Sequence, residues 1–476
     1  MSIATKATIM YIKSINFDNL RCFENFSVDL EEGMSLLILG ENGGGKSTVL
    51  RAIAMGICDQ SSSASLFREL PGEFVRRKKG EEWVPKGTVG KILVDLVDTE
   101  GAFEEVYRIP TTITSLDQFE RVQQFDKIEV VGSATEKKLD DAQFPWAKVF
   151  VSGYGAGART NGSADYRHYL PVDAIYSLFN YGVPLQNPEL AVRRLKDAAE
   201  ASTEDPDERK KRSEGVVNAV KGILAKLLVL DEADSIVLEP TGIVVYGRWG
   251  RAELGELGDG YKAIITMVLD LVSWWFLHVL ANDEEEKGWL DFDAAEIKGI
   301  VIIDEVEQHL HPRWQKIIIE LLLDCFPKVQ FIITSHSPLC VVGASSANGT
   351  SERLKTVVLR NRDDKVEPRV VPPAKDQRAD QVLTGIYFGL DTAYDSAVKE
   401  KIARYSELLN SSSLDEGETE ELATLTSDLD RVLGAGETEL EDVVSEAIDY
   451  ATKKLSDKVD AKVVNYEVLR QIHDKL

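Results

Sequence analysis

The stretch SLLILGENGGGKSTVL, residues 35–50, decides the fold of this chain. Its aliphatic run predicts a buried strand, and the loop GENGGGKS behind it fits the pattern G-x-x-x-x-G-K-[ST] that opens a helix. In this setting the glycines let successive backbone N–H groups surround a phosphate, and the positive end of the helix dipole faces it. The stretch therefore predicts a phosphate-binding loop between a strand and a helix.

The side chains of this loop have predicted roles. Lys46, a candidate catalytic residue, would reach the β- and γ-phosphate oxygens of a nucleotide, and Ser47 would hold Mg²⁺ through its hydroxyl. The candidate nucleotide-binding residues of the loop are Gly40, Asn42, Gly43, Gly44, Gly45, Lys46, Ser47 and Thr48. A bound nucleotide and Mg²⁺ are thus expected together.

Two further apolar runs end in polar residues. Gly299–Ile303 leads into Asp304 and Glu305, and a run ending at Ile333 leads through Thr334 and Ser335 to His336. Asp304 could order Mg²⁺ through its water shell, and Glu305 is the candidate general base for water attack on the γ-phosphoryl group. On spacing alone, His336 could equally be a core or capping residue. Buried strands that carry polar residues at their carboxyl ends predict an α/β sheet with its ligand at that edge.

Composition sets the broad class. The 476 residues are 43% hydrophobic and 28% charged, which predicts roughly three globular domains rather than disorder. A net charge of −25 opposes bulk binding to a polyanion, so any nucleic-acid surface must be local. The basic clusters Arg76–Lys79 and Arg209–Arg212 are the candidates for such a nucleic-acid surface.

Four cysteines without C-x-x-C spacing predict neither a disulfide framework nor a zinc site, and a cytoplasmic location is expected.

One stretch, Ala263–Ala281, is about long enough to cross a bilayer. A carboxylate at its centre, Asp270, and flanks without a basic anchor favour a buried helix instead. We therefore expect no membrane association.

Other patterns predict further elements. Alternating apolar and polar residues in Tyr11–Phe17 and Phe26–Leu30 predict two strands at an exposed edge. Residues 189–232 predict two helices separated by the breaker STEDPDE. The tail is acidic, with 13 Asp and Glu against one Arg between Ser411 and Tyr450. Such helices are either solvated surface or a docking face for a partner.

Four segments in this order, GENGGGKST, LGDGYKAI, IVIIDEVEQHLHP and FIITSHSP, resemble the ABC-type ATPase heads of the SMC, RecF and OLD group. The resemblance implies an α/β P-loop head with two lobes and a mixed sheet, ATP and Mg²⁺ as ligands, and ATP hydrolysis. It also implies a head-to-tail dimer in which a signature segment caps the γ-phosphate bound by the opposite subunit. That segment comprises Leu257, Gly258, Asp259 and Gly260. His336 then corresponds to the catalytic switch histidine, and the opening FDNLRCFENF places Arg21 near the nucleotide.

The chain departs from this group in two places. Gly258 replaces the usual signature serine, which implies slow turnover rather than lost binding. No glutamine stands in the loop that usually supplies one, and FVSGYGAGAR, residues 150–159, takes its place; Arg159 or Tyr154 could substitute, or the loop could simply support the lobe interface. Glu307, His309 and His311 could be read as a metal cluster, but the resemblance assigns them to the loop that crosses the dimer seam.

The predicted domains follow the motifs. Residues 1–160 form the first ATPase lobe, residues 161–250 a helical insertion with connecting strands, and residues 251–375 the second lobe. Residues 376–476 form an acidic helical region that is the expected docking site for a partner.

Lengths narrow the choice within the group. Only 208 residues separate Thr48 from Leu257, too few for a long coiled coil, and the 140 residues after His336 show no nuclease ligand set. Residues 379–391, ADQVLTGIYFGLD, resemble stand-alone ATPases of bacterial anti-phage operons of the Septu-like and retron-linked kinds.

The hypothesis is a cytoplasmic Mg-dependent ATPase that forms a homodimer or larger homo-oligomer. It would control a separate effector nuclease, of HNH or else Toprim type, and would reach DNA through that complex. The alternative is a RecF-like or SMC-like DNA-repair ATPase that binds DNA directly. A transporter ATPase is disfavoured because no membrane-coupling feature is present.

Overall fold

The computed structural model divides into two compact units, residues 1–390 and 391–476. The described residues are 10–99, 105–116, 119–124, 128–131, 137–157, 159–201, 204–230, 236–239, 242–247, 250–282, 294–346, 352–362, 365–390, 396–410 and 416–433. The strands are β1 (Met10–Leu20), β2 (Phe23–Asp29), β3 (Ser35–Gly40), β4 (Val89–Asp98), β5 (Glu105–Leu116), β6 (Phe119–Gln124), β7 (Ile128–Val131), β8 (Lys137–Leu139), β9 (Val151–Tyr154), β10 (Gly162–Ala164), β11 (Leu185–Gln186), β12 (Ile236–Glu239), β13 (Gly242–Gly247), β14 (Gly250–Glu253), β15 (Lys298–Ile303), β16 (Lys328–Ser335), β17 (Leu354–Arg362) and β18 (Lys365–Val371). The helices are α1 (Lys46–Gly56), α2 (Gln60–Arg68), α3 (Pro171–Ile175), α4 (Pro188–Ala201), α5 (Pro206–Leu227), α6 (Asp259–Asn282), α7 (Pro312–Gln315), α8 (Ile318–Cys325), α9 (Pro338–Ser346), α10 (Ala379–Thr384), α11 (Ser396–Asn410) and α12 (Glu416–Leu433).

The strand before the phosphate loop, β3, lies inside a six-stranded sheet with the order β18-β17-β3-β16-β15-β9. Neighbouring strands pair in parallel except β18, which pairs antiparallel with β17. The apolar runs predicted as strands are therefore neighbours in one mixed sheet. Because parallel strands end at the same edge, the phosphate loop, the acidic pair and the histidine meet there. The predicted α/β head fold is confirmed.

Both faces of this sheet are covered. Along β3, Leu36 and Ile38 pack into one hydrophobic core, whereas Leu37 and Leu39 pack into the other. All four side chains are fully buried. A parallel sheet covered on both faces has no solvent-facing positions, which explains the unbroken aliphatic run in the sequence.

A second sheet of seven strands follows the order β2-β1-β4-β5-β7-β8, with β6 also paired to β5. The strands predicted from the alternating N-terminal pattern are present as β1 and β2. Their expected position at an exposed edge is wrong for β1, because this strand pairs antiparallel with β2 on one side and β4 on the other. Within the alternating stretch Tyr11–Phe17, Lys13 is the exposed position.

The long apolar helix α6 is the one described helix long and apolar enough to cross a membrane, and 89% of that apolar window is buried within the protein. At its centre the Asp270 carboxylate accepts a hydrogen bond from the Gln186 backbone N–H at 2.7 Å. Burial raises the pKa of Asp270 to about 7. A carboxyl group that is protonated, and therefore neutral, costs less to bury than a carboxylate. Asp270 is therefore compatible with a core position. The predicted buried helix is confirmed.

Helices also form the two regions in which the sequence predicted them. The two helices expected in residues 189–232 are α4 and α5. In the second unit, α11 and α12 pair through charged side chains: Arg404 donates to both carboxylate oxygens of Glu421, at 3.0 and 2.8 Å, and Lys401 lies 2.6 Å from Asp428. Residues 391–395, 411–415 and 434–476 of the predicted acidic tail lie outside the described residues.

Candidate nucleotide-binding site

Two glycines of the phosphate loop adopt backbone conformations that favour glycine. Gly43 and Gly45 have φ angles of 77° and 89°. A Cβ on Gly45 would lie 2.7 Å from both the Cys22 Sγ and the Phe23 ring. The turn between β1 and β2 therefore leaves no room for a side chain at this position. The other loop candidates, Gly40, Asn42, Gly44 and Thr48, lie between the end of β3 and the first turn of α1.

The Lys46 ammonium lies inside the loop. Its Nζ donates to the carbonyl oxygens of Gly40 at 2.8 Å and Glu41 at 3.0 Å. Burial lowers the pKa of Lys46, while the carboxylates of Glu305 and Asp304 act in the opposite direction. The loop thus holds a cation among oxygen acceptors, in a position to exchange them for phosphate oxygens.

Ser47 and Asp304, which are 257 residues apart in sequence, are brought into contact. The Ser47 hydroxyl donates to Asp304 Oδ2 at 2.7 Å, and the Thr334 hydroxyl donates to Asp304 Oδ1 at 2.5 Å. Asp304 itself is 1% exposed. A hydroxyl and a carboxylate side by side are oxygen ligands that suit Mg²⁺, which usually takes one or two protein ligands and completes its shell with water and phosphate. The residues present therefore fit the predicted metal.

The residues considered as a second metal cluster, in the loop after β15, make contacts of a different kind. His311 Nδ1 accepts a hydrogen bond from the Arg313 N–H at 3.3 Å and so caps α7. Within the described ranges, no group of three or more His, Cys, Asp and Glu side chains is placed to hold a metal ion. The side chain of Glu307 is turned toward His336 instead.

Glu305 follows directly after Asp304 in a constrained backbone. Its φ angle is 51°, which is uncommon for a residue with a side chain, and its backbone N–H donates to the Thr334 hydroxyl at 2.8 Å. Strained conformations of this kind persist where surrounding contacts enforce them and cluster at functional sites. The Thr334 hydroxyl thus holds both acidic residues at the sheet edge. It donates to the side chain of Asp304 and accepts from the backbone N–H of Glu305.

His336 is paired with Glu307. Oxygen Oε1 of Glu307 accepts from the His336 backbone N–H at 2.7 Å and lies 3.0 Å from ring atom Nδ1. The carboxylate is buried, with 5% of its side chain exposed, whereas 47% of the histidine side chain is exposed. A hydrogen on Nδ1 shared with this carboxylate leaves Nε2 to contact a ligand. Glu307 therefore positions the imidazole of His336, the predicted switch histidine, and the spacing of Glu307 in the sequence did not indicate this contact.

We expect Glu307→Ala to lower kcat for ATP hydrolysis about tenfold, because the histidine loses the group that orients it. In a His336→Ala background the same substitution should have little further effect, since residues that act as a pair are not additive. Steady-state hydrolysis by the four proteins of this cycle, with folding checked by circular dichroism, measures the coupling. A full tenfold effect in both backgrounds would contradict the positioning role.

The loop in place of the missing glutamine puts Arg159 at the site. The guanidinium group is 2% exposed and donates to the carbonyl oxygens of Asp304 and, at 2.8 Å, Glu305. Burial lowers the pKa of Arg159 to about 10, against the effect of the Glu307, Asp304 and Glu305 carboxylates. Of the two possible substitutes for the missing glutamine, Arg159 thus contacts the acidic loop, which we define as the segment of Asp304 and Glu305 after β15. The Tyr154 hydroxyl instead accepts from Ser152 at 2.9 Å inside the core.

Tyr181 is a site residue that no sequence motif indicated. Its hydroxyl donates to Asp304 Oδ2 at 3.2 Å, and its ring lies 5.5 Å from the Arg51 guanidinium. A Cβ on Gly155 would lie 2.7 Å from the tyrosine ring. The glycines of the loop at residues 150–159 therefore admit an aromatic side chain next to the candidate metal ligand.

The predicted signature segment lies at the start of α6 and packs on the loop after β15. A Cβ on Gly260 would lie 2.8 Å from the carbonyl oxygen of His309, and the rings of Tyr261 and Trp314 make an edge contact at 4.4 Å. Leu257 is buried, and Gly258 and Asp259 are exposed. Across the described part of the chain, no hydrogen bond joins residues 257–260 to the phosphate loop of the same chain. The expected contact of this segment with a nucleotide of the opposite subunit stays a prediction.

Arg21 has partners away from the phosphate loop. Its Nη2 donates to the carbonyl of Pro71 at 2.6 Å, its Nε donates to that of Glu73 at 3.2 Å, and the guanidinium lies over the Phe74 ring. Its neighbour Cys22 abuts the loop at Gly45. The turn is thus beside the loop, while hydrogen bonds hold Nε and Nη2 of Arg21 on the carbonyls of Glu73 and Pro71.

Comparison with known proteins agrees with this geometry. Residues 174–341 match a family described as "AAA domain, putative AbiEii toxin, Type IV TA system", and residues 10–80 match one described as "AAA ATPase domain". The Septu protein PtuA of Bacillus mycoides is 27% identical over 455 residues, covering 92% of this chain and 53% of that protein. The expected resemblance is confirmed. The chain is similar to PtuA and has a P-loop ATPase fold, although it spans only about half the length of that relative.

Two further similarities are more distant. The "Retron Ec83 probable ATPase" of Escherichia coli is 22% identical, over 69% of this chain and 68% of that protein. The SMC head domain from Thermotoga maritima is 13% identical, covers 76% of this chain and 98% of that one, and gives a TM-score of 0.39. The sheet order and the phosphate loop define the fold of this chain.

Proposed function

We propose that this chain is the cytoplasmic ATPase subunit of a bacterial anti-phage defence complex. Two copies bind ATP and Mg²⁺ in shared sites, and their opening and closing control a separate effector nuclease. The observation that carries the proposal is the contact between Ser47 and Asp304. It places the end of the phosphate loop beside the acidic pair, as Mg-dependent phosphoryl transfer needs.

The site residues then have defined tasks. Lys46 and the loop N–H groups bind the phosphates, and Ser47 and Asp304 hold Mg²⁺, which when bound neutralises charge on the β- and γ-phosphates. Glu305 accepts a proton from the attacking water. His336, oriented by Glu307, contacts the terminal phosphoryl group. Each task is performed at one edge of the six-stranded sheet.

The proposed dimer rests on the resemblance of residues 257–260 to a signature segment. Leu257, Gly258, Asp259 and Gly260 would cap the nucleotide of the opposite subunit through backbone N–H groups, because Gly258 supplies no hydroxyl. Turnover should therefore be slow. A homodimer is the smallest assembly with complete sites, and larger homo-oligomers satisfy the same contacts.

The partner is proposed from the relatives. Their names place them in Septu and retron systems, and an HNH nuclease is the favoured effector, with a Toprim nuclease as the second choice. The acidic helices of residues 376–476 are the proposed docking region. With a net charge of −25, the chain should reach DNA through the nuclease rather than alone.

The proposal is tested by ATP binding and hydrolysis of wild type, Lys46→Ala and the matched control Lys375→Ala, an exposed lysine outside the four ATPase segments. We expect Lys46→Ala to bind ATP at least about tenfold more weakly, since it loses a charge-assisted contact to phosphate, and the control to match wild type. Equal rates in all three proteins would refute the enzymatic assignment. Tight, salt-dependent DNA binding by the isolated chain would favour the DNA-repair alternative.

A further inference from the structure

A cavity of about 130 Å³ opens beside the phosphate loop. One wall is the loop itself, at Gly40, Glu41 and Gly44, and the opposite wall is the turn after α10. The end of β17 forms the floor, where Leu359 pairs with Gly40. The turn belongs to residues 379–391, whose aromatic pair has no role in the site described above.

Strand order shows which end of a nucleotide this cavity faces. On one side of β3 lie β16 and β15, which carry His336 and the acidic pair that receive the terminal phosphate in the proposed function. On the other side lies β17. A nucleotide whose phosphates lie along the loop, with the γ-phosphate toward Asp304, therefore directs its nucleoside toward β17 and the cavity.

The walls offer stacking and hydrogen bonding. Phe388 is partly buried and lines the cavity, and Tyr387 beside it is held by a hydrogen bond from its hydroxyl to the Pro372 carbonyl at 2.8 Å. Arg360 Nη2 donates to the Ile386 carbonyl at 2.7 Å. Its Nε is buried and has no hydrogen-bond partner among the described residues.

An unpaired buried donor is costly, and native proteins rarely keep one without a function. Gly389, with a φ angle of 67°, lets the turn approach so closely that a Cβ there would lie 3.2 Å from Arg360 Nη1. The turn thus clamps the guanidinium at the cavity. Arg360 lines the cavity, and an arginine can only donate hydrogen bonds, so it suits an acceptor of the ligand such as a ring nitrogen or a ribose oxygen.

We propose that this cavity binds the adenine base of ATP, with Phe388 stacking on the ring and Arg360 donating to the nucleoside. The inference rests on the proposed function, because it takes the position of the phosphates from it. It gives the segment ADQVLTGIYFGLD a role as the wall of the base pocket. The pocket lies wholly within the first unit.

The test compares ATP with inorganic triphosphate, which has no base, as ligands of the whole chain in calorimetric titrations. Phe388→Ala should weaken ATP binding about tenfold, as expected for loss of one stacked base, and leave triphosphate binding unchanged. The matched control Leu390→Ala, an exposed residue of the same segment that does not line the cavity, should bind both ligands as wild type does.

The outcomes separate the two proposals. If wild type binds both ligands and Phe388→Ala binds ATP as tightly as wild type, the base lies elsewhere and only this inference fails. If wild type binds neither ligand, the proposed function itself fails. Should Phe388→Ala not fold, photolabelling of wild type with 8-azido-ATP decides the matter. A label on the peptide containing Tyr387–Gly389 supports the pocket, and a label confined to other segments, such as the turn at Arg21, overturns it.

Discussion

Replacing Glu305 by glutamine should lower the rate of ATP hydrolysis by about three orders of magnitude and leave ATP bound. A general base contributes roughly 10² to 10⁴ to a rate, and glutamine keeps the size of glutamate without its basicity. The backbone of Glu305 is fixed by Thr334, so the substitution should not move the loop. Single-turnover hydrolysis and ATP affinity, measured on the same samples, check the two parts of the expectation.

The same variant should accumulate as an ATP-bound dimer. If each site is closed by the signature segment of the opposite subunit, blocked hydrolysis holds both sites shut, and light scattering with ATP and Mg²⁺ should show twice the monomer mass. Glu352→Gln, at an exposed position, is the matched control and should behave as wild type. A variant that binds ATP without hydrolysing it yet stays monomeric would contradict the shared sites.

Arg159→Ala should destabilise the protein by about 3 to 5 kcal/mol. The buried guanidinium also donates to the carbonyls of Gly155 at 3.3 Å and Val306 at 3.4 Å, besides those of the acidic loop. Alanine would leave these oxygens without their donor and open a cavity under Asp304 and Glu305. We therefore expect the rate of ATP hydrolysis to fall together with the free energy of unfolding.

Urea denaturation measures this loss. Arg167→Ala is the matched control, because Arg167 is 77% exposed and its ion pair with Asp165 spans 3.4 Å. An exposed pair contributes about 0 to 1 kcal/mol, so the control should stay near wild type. If Arg159→Ala were no less stable than the control, Arg159 would not be a structural support of the acidic loop.

The sequence predicted the part of the site that depends on strand ends. Unbroken apolar runs identified β3, β15 and β16 as buried, and the geometry of parallel strands then required Lys46, Asp304 and His336 to meet at one edge. The motifs stand at the ends of the strands that the sheet brings together, so the motifs and the strand order predict the same group of site residues. For that reason the contact between Ser47 and Asp304 could be expected before the structure.

The side chains that support these residues could not be predicted. Tyr181 lies in no motif and reaches Asp304 across 123 residues of sequence. Glu307 resembled a metal ligand because its spacing from His311 is helical, but the backbone after β15 turns it toward His336. Both roles depend on tertiary contacts, which local patterns do not encode.

The burial of α6 limits how the signature segment can move. The segment opens a helix of 24 residues, of which 16 are buried. This helix packs against strands as well as against other helices. A tightly packed core does not let one end of such a helix shift by itself. If the proposed dimer forms, a movement of Gly258 toward the nucleotide would displace the whole helix as a rigid body. Asn282, at the opposite end of the helix, would then move as well.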